Sequence, residues 1–282
     1  MLTPEIMHAM WPNGDNKVAG LVEGILAAAP AVFAKYGLNS DLVIAHAMAQ
    51  FSVECGAGTE MVENINYTAT RACQVWPSRF RSESDCYTIV GSFAGDPGFC
   101  TKLINYVYGG RNGNLPGTQD GCSYIGRGLS QVTGRGNYQA LGAKVGLELA
   151  DQVDLVNEPA NALECAVADF ILCGCLPFAQ ADDVSGVTMH LNGGHTGLDE
   201  RTLWLTRWKT ALGSQNPAPH STTWLQISLN KLGIDPPLDT DGTYGPMTAA
   251  AVKDFQAAHG LEVDGKIGPA TLAAMDAALL AL

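Results

Sequence analysis

Near its end the chain repeats itself: Asp241-Gly242-Thr243-Tyr244-Gly245-Pro246-Met247-Thr248 recurs 23 residues later as Asp264-Gly265-Lys266-Ile267-Gly268-Pro269-Ala270-Thr271. Each copy prescribes local structure. Asp-Gly supplies a turn, and Gly-Pro places proline at the first position of a helix, where its missing N–H costs little. Two copies are too few for a solenoid, so they must close onto a small unit of their own. Its three helices are expected over Leu225 to Leu232, over Ala249 to His259 with Val252 and Phe255, and over Thr271 to Leu280. Upstream, after an amphipathic helix through Trp208, the run Gly213-Ser214-Gln215-Asn216-Pro217-Ala218-Pro219-His220-Ser221 composes a short, semi-extended linker. The sequence therefore divides into residues 1–212, a linker at 213–222 and a unit at 223–282.

Within residues 1–212 a pair of carboxylates, Glu54 and Glu63, stands nine residues apart around Gly56-Ala57-Gly58-Thr59. Leu42, Val43, Ala45, His46, Ala49 and Val53 recur near helical period, which predicts a helix from about Asp41 to Glu54 with Gly56 as its C-terminal cap. The chain then loops to Glu63-Asn64-Ile65-Asn66-Tyr67. A helix end beside a glycine-containing loop can turn both carboxyls into one cleft, and paired carboxylates in unlike surroundings cleave glycosidic bonds. Two arbitrary glutamates are more often solvated surface acids, so other segments must decide. Tyr124 to Tyr138 is too dense in polar groups for a core strand. Gly126 and Gly128 permit close backbone approach there, and Gln131, Thr133 and Asn137 offer amide and hydroxyl groups suited to sugars. Leu191-Asn192-Gly193-Gly194 reads as a tight turn, and Gly197-Leu198-Asp199-Glu200-Arg201 opens a helix carrying Leu203, Trp204 and Trp208.

Glu54 with Val62-Glu63-Asn64-Ile65-Asn66-Tyr67, then Tyr108-Gly109-Gly110-Arg111-Asn112-Gly113, the Gly126 to Tyr138 run, and Asn192-Gly193-Gly194 with Arg201 follow one another in a single order. In this they resemble family 19 glycoside hydrolases, and more closely the bacteriophage endolysin branch of that family, over about residues 1 to 212. The resemblance implies a mainly α, lysozyme-like helical catalytic domain that needs no metal or other cofactor. It implies that Glu54 is the general acid, Glu63 the general base, and Thr133 a hydroxyl that helps hold the attacking water. By the same resemblance Gln131, Asn137, Asn192 and Tyr67 bind substrate, and Arg201 sits near Glu54 and tunes its proton affinity. The implied reaction is hydrolysis of the β-1,4 bond between N-acetylmuramic acid and N-acetylglucosamine in bacterial peptidoglycan, with inversion.

Residues 223–282, with Phe255-Gln256, His259-Gly260-Leu261 and both repeats, resemble the small three-helix peptidoglycan-binding domain attached to many cell-wall hydrolases. Two departures from the catalytic family carry expectations. The family usually places His before the acid and Ser or Thr after it, whereas Val53 and Cys55 flank Glu54, so a more apolar pocket favouring the protonated carboxyl is expected. The loop insertions of plant chitinases have no counterpart, so the cleft should be short and open. The rival readings are a chitinase acting on N-acetylglucosamine polymers and a non-catalytic wall-binding protein; a wall amidase or peptidase fits less well.

The net charge of −12, from 16 Lys and Arg against 28 Asp and Glu, lacks the basic footprint of a nucleic-acid binder. Residues Ser221 to Leu282 carry −4 of it and the remainder −8, so both regions repel anionic surfaces. The most apolar stretches, Ala19 to Gly37 and Cys165 to Ala179, are broken by Glu23, Pro30 and Lys35 and by Asp169, so membrane insertion is not expected. Met1-Leu2-Thr3-Pro4-Glu5-Ile6 lacks a basic region followed by an apolar core, and no secretory signal is expected. For an endolysin-like protein this implies residence in the host cytoplasm until release by a holin, then action in the periplasm and cell wall, as a monomer. Eight cysteines, under 3% of the chain and made in a reducing compartment, argue against a disulfide framework. Cys173-Gly174-Cys175 has no partner pair at zinc-like spacing and reads as buried thiol. No base at a recognisable spacing accompanies Cys55. His46 reads as core, and His190 and His195 as surface residues beside Asn192.

Overall fold

The computed structural model describes residues 2–93, 95–213 and 222–280. The chain forms two compact units, Met1–Leu212 and Gly213–Leu282; positions 214–221 of the expected linker lie outside the described residues. Both units are mainly α. Among the described residues there is no β-strand, only two isolated bridges, Val62 to Arg127 and Arg127 to Val132. No single helix among them is long and apolar enough to cross a membrane.

The first unit is organised around the Asp41–Glu54 helix. Ser40 caps its start by accepting from the Val43 N–H. At its end the Ala57 N–H returns to the Ser52 carbonyl while Gly56 and Ala57 take φ values of 54° and 53°. Every residue from Val43 to Ser52 is buried. The sequence suggested a helix with one apolar face; the structure makes it a central rod, packed by the Ala162–Leu172, Leu176–Gln180, Val184–Asn192 and Leu198–Ala211 helices. Its small residues Ala45, Ala47 and Ala49 let neighbours approach from several sides. Ser52 fixes the last turn: its buried hydroxyl donates to the Met48 carbonyl (2.7 Å) and accepts from the indole N–H groups of Trp11 (2.8 Å) and Trp208 (2.9 Å). All three hydrogen-bonding positions of that hydroxyl are thus filled. His46 is buried and bonded to Asp182 Oδ1 at 2.8 Å, a core histidine. In the Leu198–Ala211 helix Arg201, Leu205 and Trp208 face inward, whereas Leu203 is exposed.

A smaller core joins the Ala69–Val75, Glu83–Gly91 and Phe99–Tyr108 helices through Ala72, Phe80, Val90, Leu103 and Val107. One expectation is corrected here: Cys73 and Cys86 form a disulfide, with Cα atoms 5.8 Å apart. Composition speaks to a framework of many bridges and not to a single pair, whose formation depends on tertiary proximity. The other six cysteines are free. Burial pushes the thiols of Cys55, Cys165 and Cys173 up to about 12, so they stay protonated and unreactive.

The second unit has the helices Thr222–Lys231, Pro246–Ala258 and Pro269–Leu280, the last two beginning on the repeat prolines. Leu225, Leu229, Val252, Phe255 and Met275 form its core. A buried glutamine accounts for each repeat. Gln226 Nε2 donates to Asp241 Oδ1 (2.8 Å), the Thr243 carbonyl (3.1 Å) and Thr248 Oγ1 (3.2 Å), and its Oε1 accepts from the Gly242 N–H (2.9 Å). Gln256 repeats the pattern with Asp264 (3.0 Å), Lys266 (3.0 Å), Thr271 (3.1 Å) and the Gly265 N–H (2.9 Å). The Asp, Gly and Thr of the motif are therefore the partners of one side chain from the preceding helix.

Candidate active site

Glu54 ends the central helix, and Arg201 reaches it from the Leu198–Ala211 helix. Arg201 Nη2 donates to Glu54 Oε1 at 2.6 Å, Nη1 to Gln50 Oε1 at 2.5 Å, and Nε to the Thr196 carbonyl at 3.2 Å. Gln50 lies four residues before Glu54, on the same helix face, and its own Nε2 donates to Thr188 Oγ1 (3.2 Å). The guanidinium is nearly enclosed, its side chain 4% exposed against 17% for Glu54. The apolar pocket expected around Glu54 is corrected by this contact: an ion pair holds the carboxylate. Cys55 turns away into the Cys55–Gly58 turn, where its sulfur accepts from the Gly58 N–H at 3.3 Å. Val53 packs towards Gly197, whose φ of +72° starts the helix that carries Arg201.

A third carboxyl, Asp169 of the Ala162–Leu172 helix, stands close enough for the charge of Glu54 to act on it. Burial pushes Asp169 up to about 6 and the Glu54 charge adds to that, while hydrogen bonds from Ser130 and Cys173 oppose it.

Glu63 is held differently. Its backbone N–H donates to the Gly126 carbonyl (2.8 Å), the Gly126 N–H donates to Glu63 Oε2 (3.1 Å), and the Tyr108 hydroxyl donates to Oε1 (2.8 Å). Burial, with the Glu63 charge beside it, pushes the Tyr108 phenol far above its ordinary value, so it remains a neutral donor. Rings of Tyr67, Trp76 and Tyr108 follow one another behind this carboxylate, with centroids 4.6 and 6.0 Å apart. Gly126 is where the candidate residues converge: a Cβ there would stand 2.8 Å from Gln131 Oε1, 3.3 Å from Thr133 Oγ1 and 3.5 Å from Glu63 Cβ. The close approach anticipated for Gly126 is thus an approach of its own chain. Gln131 Nε2 is engaged by the Glu60 and Gly128 carbonyls (3.1 and 2.9 Å), which leaves its oxygen for a ligand. Thr133 Oγ1 donates to the Gln131 carbonyl (2.9 Å) and keeps its lone pairs. Exposed Asn137 donates to the Thr133 carbonyl (2.9 Å).

Glu63, Asn64, Tyr67 and Gln131 line a cleft of about 900 Å³, together with Lys17, Glu60 and Asn157 among others. Glu54 is not one of its lining residues. Glu54 with Arg201, and Glu63 with Gln131 and Thr133, form two polar clusters joined by the 55–62 turn. Asn192 is the exposed last residue of the Val184–Asn192 helix, which Gly193 caps at φ +69°, so the expected tight turn is a helix end. His190 contacts the Cys173 carbonyl (3.0 Å) and Phe178, and His195 is exposed. Sequence reasoning missed Gln50, Thr188, Tyr108 and Asp169 as members of the site. Gln50 and Asp169 could have been found as polar residues inside otherwise apolar helical runs. No group of His, Cys, Asp or Glu among the described residues could hold a metal ion.

Residues 221–275 match the family model of a peptidoglycan binding domain. A glycosyl hydrolase family 19 domain-containing protein of Haemophilus influenzae is 30% identical over 182 residues, covering 64% of this chain and 85% of that protein. An uncharacterized protein of Kitasatospora aureofaciens is 44% identical over 64 residues, 22% of this chain and 53% of that one. Among solved structures, a mutant of chitinase C aligns with TM-score 0.48 and 20% identity, and chitinase C from Streptomyces griseus HUT6037 with TM-score 0.46 and 19% identity; each alignment covers 75% of this chain and 92% of the other. By its relation to the Haemophilus influenzae protein, the chain belongs to glycosyl hydrolase family 19.

Proposed function

We propose that this glycoside hydrolase cleaves the β-1,4 bond between N-acetylmuramic acid and N-acetylglucosamine in bacterial peptidoglycan by single displacement, and that it acts as an endolysin after release from the host cytoplasm to the wall. Glu54 protonates the departing oxygen, and Glu63, aided by Thr133, directs water to the opposite face of the sugar. The observation that supports this reading most is that two glutamates are fixed by unlike partners, Glu54 by a guanidinium and Glu63 by a phenol and a backbone N–H, with hydroxyl and amide groups beside the second. Unlike settings are what separate the roles of two carboxyls. The peptidoglycan binding domain favours the wall over chitin as substrate. On this reading residues 1–212 perform catalysis, and residues 223–282, joined by the linker at 213–222, retain the enzyme on its polymer. Gln131, Asn137, Asn192 and Tyr67 then contact sugar.

The test is release of reducing ends from purified peptidoglycan without new free amines, measured beside release from chitin. Glu54→Gln should lose about 10²–10⁴-fold in rate while remaining folded. With an aryl glycoside whose leaving group needs no proton, Glu54→Gln should regain much of that loss and Glu63→Ala should not. NMR of the first-formed product should show the inverted anomer. New free amines, greater release from chitin than from peptidoglycan, or a retained anomer would each overturn the corresponding element of the reading.

A further inference from the structure

The cleft beside Glu63 has one wall that the two-carboxylate mechanism does not use. It is formed by the loop that precedes the Leu21–Tyr36 helix, and this loop is tightly placed. Gly14 and Gly58 cross at backbone distance: a Cβ on Gly58 would meet the Gly14 carbonyl oxygen at 2.7 Å and its Cα at 2.9 Å, and one on Gly14 would meet Val22 Cγ2 at 2.7 Å. Asp15 Oδ1 accepts from the Val22 N–H (2.8 Å), and the Asn16 N–H donates to the Asn13 carbonyl (3.0 Å). Between these fixed points and the helix, Lys17 lines the same cleft as Glu60, Glu63, Asn64, Tyr67 and Gln131.

Lys17 is the one cation among the residues lining that cleft. Some other cations of this unit are neutralised in pairs, Lys35 with Glu164, Arg127 with Asp154, Arg135 with Asp120 and Arg201 with Glu54, while Arg71, Arg81 and Arg111 are not among the described residues, and none of these lines the cleft. Lys17 forms no ion pair among the described residues, although the chain carries twelve more negative than positive charges. A glycan of N-acetylglucosamine alone is uncharged and has no use for an ammonium group. Peptidoglycan differs at every second sugar, whose lactyl arm ends in a carboxylate or in a peptide that bears carboxylates.

We infer that Lys17 is a carboxylate subsite of the cleft, taking the negatively charged arm of a muramic residue bound beside Glu63. The inference rests on the peptidoglycan reading above and adds to it the group that distinguishes the wall glycan from chitin. No bond is made or broken; the subsite contributes binding and register, because an arm fixed on Lys17 sets which sugar stands at Glu63.

The test is a binding measurement, so that it does not depend on turnover. Full-length Glu54→Gln protein, with and without Lys17→Gln, is titrated calorimetrically with four ligands: peptidoglycan fragments bearing their peptide stems, the same fragments with carboxyls converted to amides, stem-free glycan strands with free lactyl carboxylates, and N-acetylglucosamine hexamer. The C-terminal unit is common to both proteins, so differences between them report on Lys17. Lys17→Gln should weaken binding of a carboxylate-bearing ligand about 2–5-fold, the range for a single solvated charge contact, and leave amidated fragments and hexamer unchanged. Lys17→Arg should restore the affinity, and added salt should erase the difference. Loss with stem-bearing fragments alone assigns the subsite to the peptide; loss with stem-free strands as well assigns it to the lactyl group. Equal affinities of the two proteins for both carboxylate ligands, or an equal loss on the hexamer, would overturn the inference. If the parent enzyme released no reducing ends from peptidoglycan, the substrate reading would fall by itself, while these affinities would still report on Lys17.

Discussion

Replacing Arg201 by lysine tests whether the geometry of Glu54, and not only the charge beside it, matters. The guanidinium serves three acceptors, Gln50 Oε1 at 2.5 Å, Glu54 Oε1 at 2.6 Å and the Thr196 carbonyl at 3.2 Å. A lysine ammonium is a point charge on a flexible stem and can replace the contact to Glu54, but not all three at once. Gln50 is fully buried, so its amide oxygen then has no donor. An unpaired buried acceptor costs about 1–3 kcal/mol, and loss of the Thr196 contact brings the sum to about 2–4 kcal/mol. For a unit of this size that is a fall in melting temperature of roughly 5–12 °C. Glu54 also loses a partner anchored at two other points, and a misplacement of about 1 Å in a catalytic group can lower kcat about 10²-fold. Calorimetry and initial rates on solubilised peptidoglycan read the two effects separately. Adding Gln50→Met to Arg201→Lys removes the orphaned oxygen and should recover some of the stability but not the rate, a coupling of about 1–2 kcal/mol. Arg201→Lys with a melting temperature within about 2 °C of the parent and kcat within about threefold would refute the reasoning, because both losses above are larger.

Tyr108→Phe removes the donor to Glu63 Oε1 and leaves the Gly126 N–H on Oε2; kcat should fall about 10-fold, the loss of about 1.4 kcal/mol of orientation at the base, with circular dichroism unchanged. Asp169 is raised to about 6 in the folded chain, above its unfolded value, so the native state holds this proton more tightly and stability falls as pH rises between about 4 and 6, then levels. Asp169→Asn should remove that slope and stabilise the first unit at pH 7 by on the order of 2 kcal/mol, seen as non-parallel melting temperature profiles against pH; parallel profiles would count against it. Gln256→Ala leaves the buried Gly265 N–H without an acceptor, a loss of about 1–3 kcal/mol from a unit of some 60 residues. Hydrogen exchange of residues 246–280 in the full-length chain should accelerate, and unchanged exchange would show that the glutamine does not hold the turn.

The sequence was most informative where local chemistry decides. Prolines 246 and 269 begin their helices, the Asp41–Glu54 helix has the bounds its pattern suggested, and the order of motifs indicated the family that the Haemophilus influenzae relative supports. It was least informative where partners lie far apart in the chain. Gln50 and Arg201 are 151 residues apart, and Tyr108 and Glu63 are 45 apart, so no spacing rule connects them. The setting of Glu54 was misjudged for the same reason: its neighbours in sequence, Val53 and Cys55, are not its neighbours in space. Cys73 and Cys86 needed the fold of the smaller core to be recognised as a pair.

The glutamine at the heart of each C-terminal turn separates stability from recognition. Because Gln226 and Gln256 bond the Asp side chain, the Gly N–H, the Thr hydroxyl and one backbone carbonyl, the invariant letters of the motif are consumed inside the unit. Apart from the Gly-Pro that starts each helix, the remaining letters differ between copies, Thr243-Tyr244 against Lys266-Ile267 and Met247 against Ala270, and all of these but Ile267 are exposed. Met247 can be exchanged without touching the bonds that hold the turns, whereas the Tyr244 hydroxyl donates to the Gly265 carbonyl (2.5 Å) and ties the first turn to the second. The two turns are therefore coupled: a substitution at Tyr244 reaches the backbone of the second turn, while one at Met247 changes the surface and leaves both glutamine networks in place.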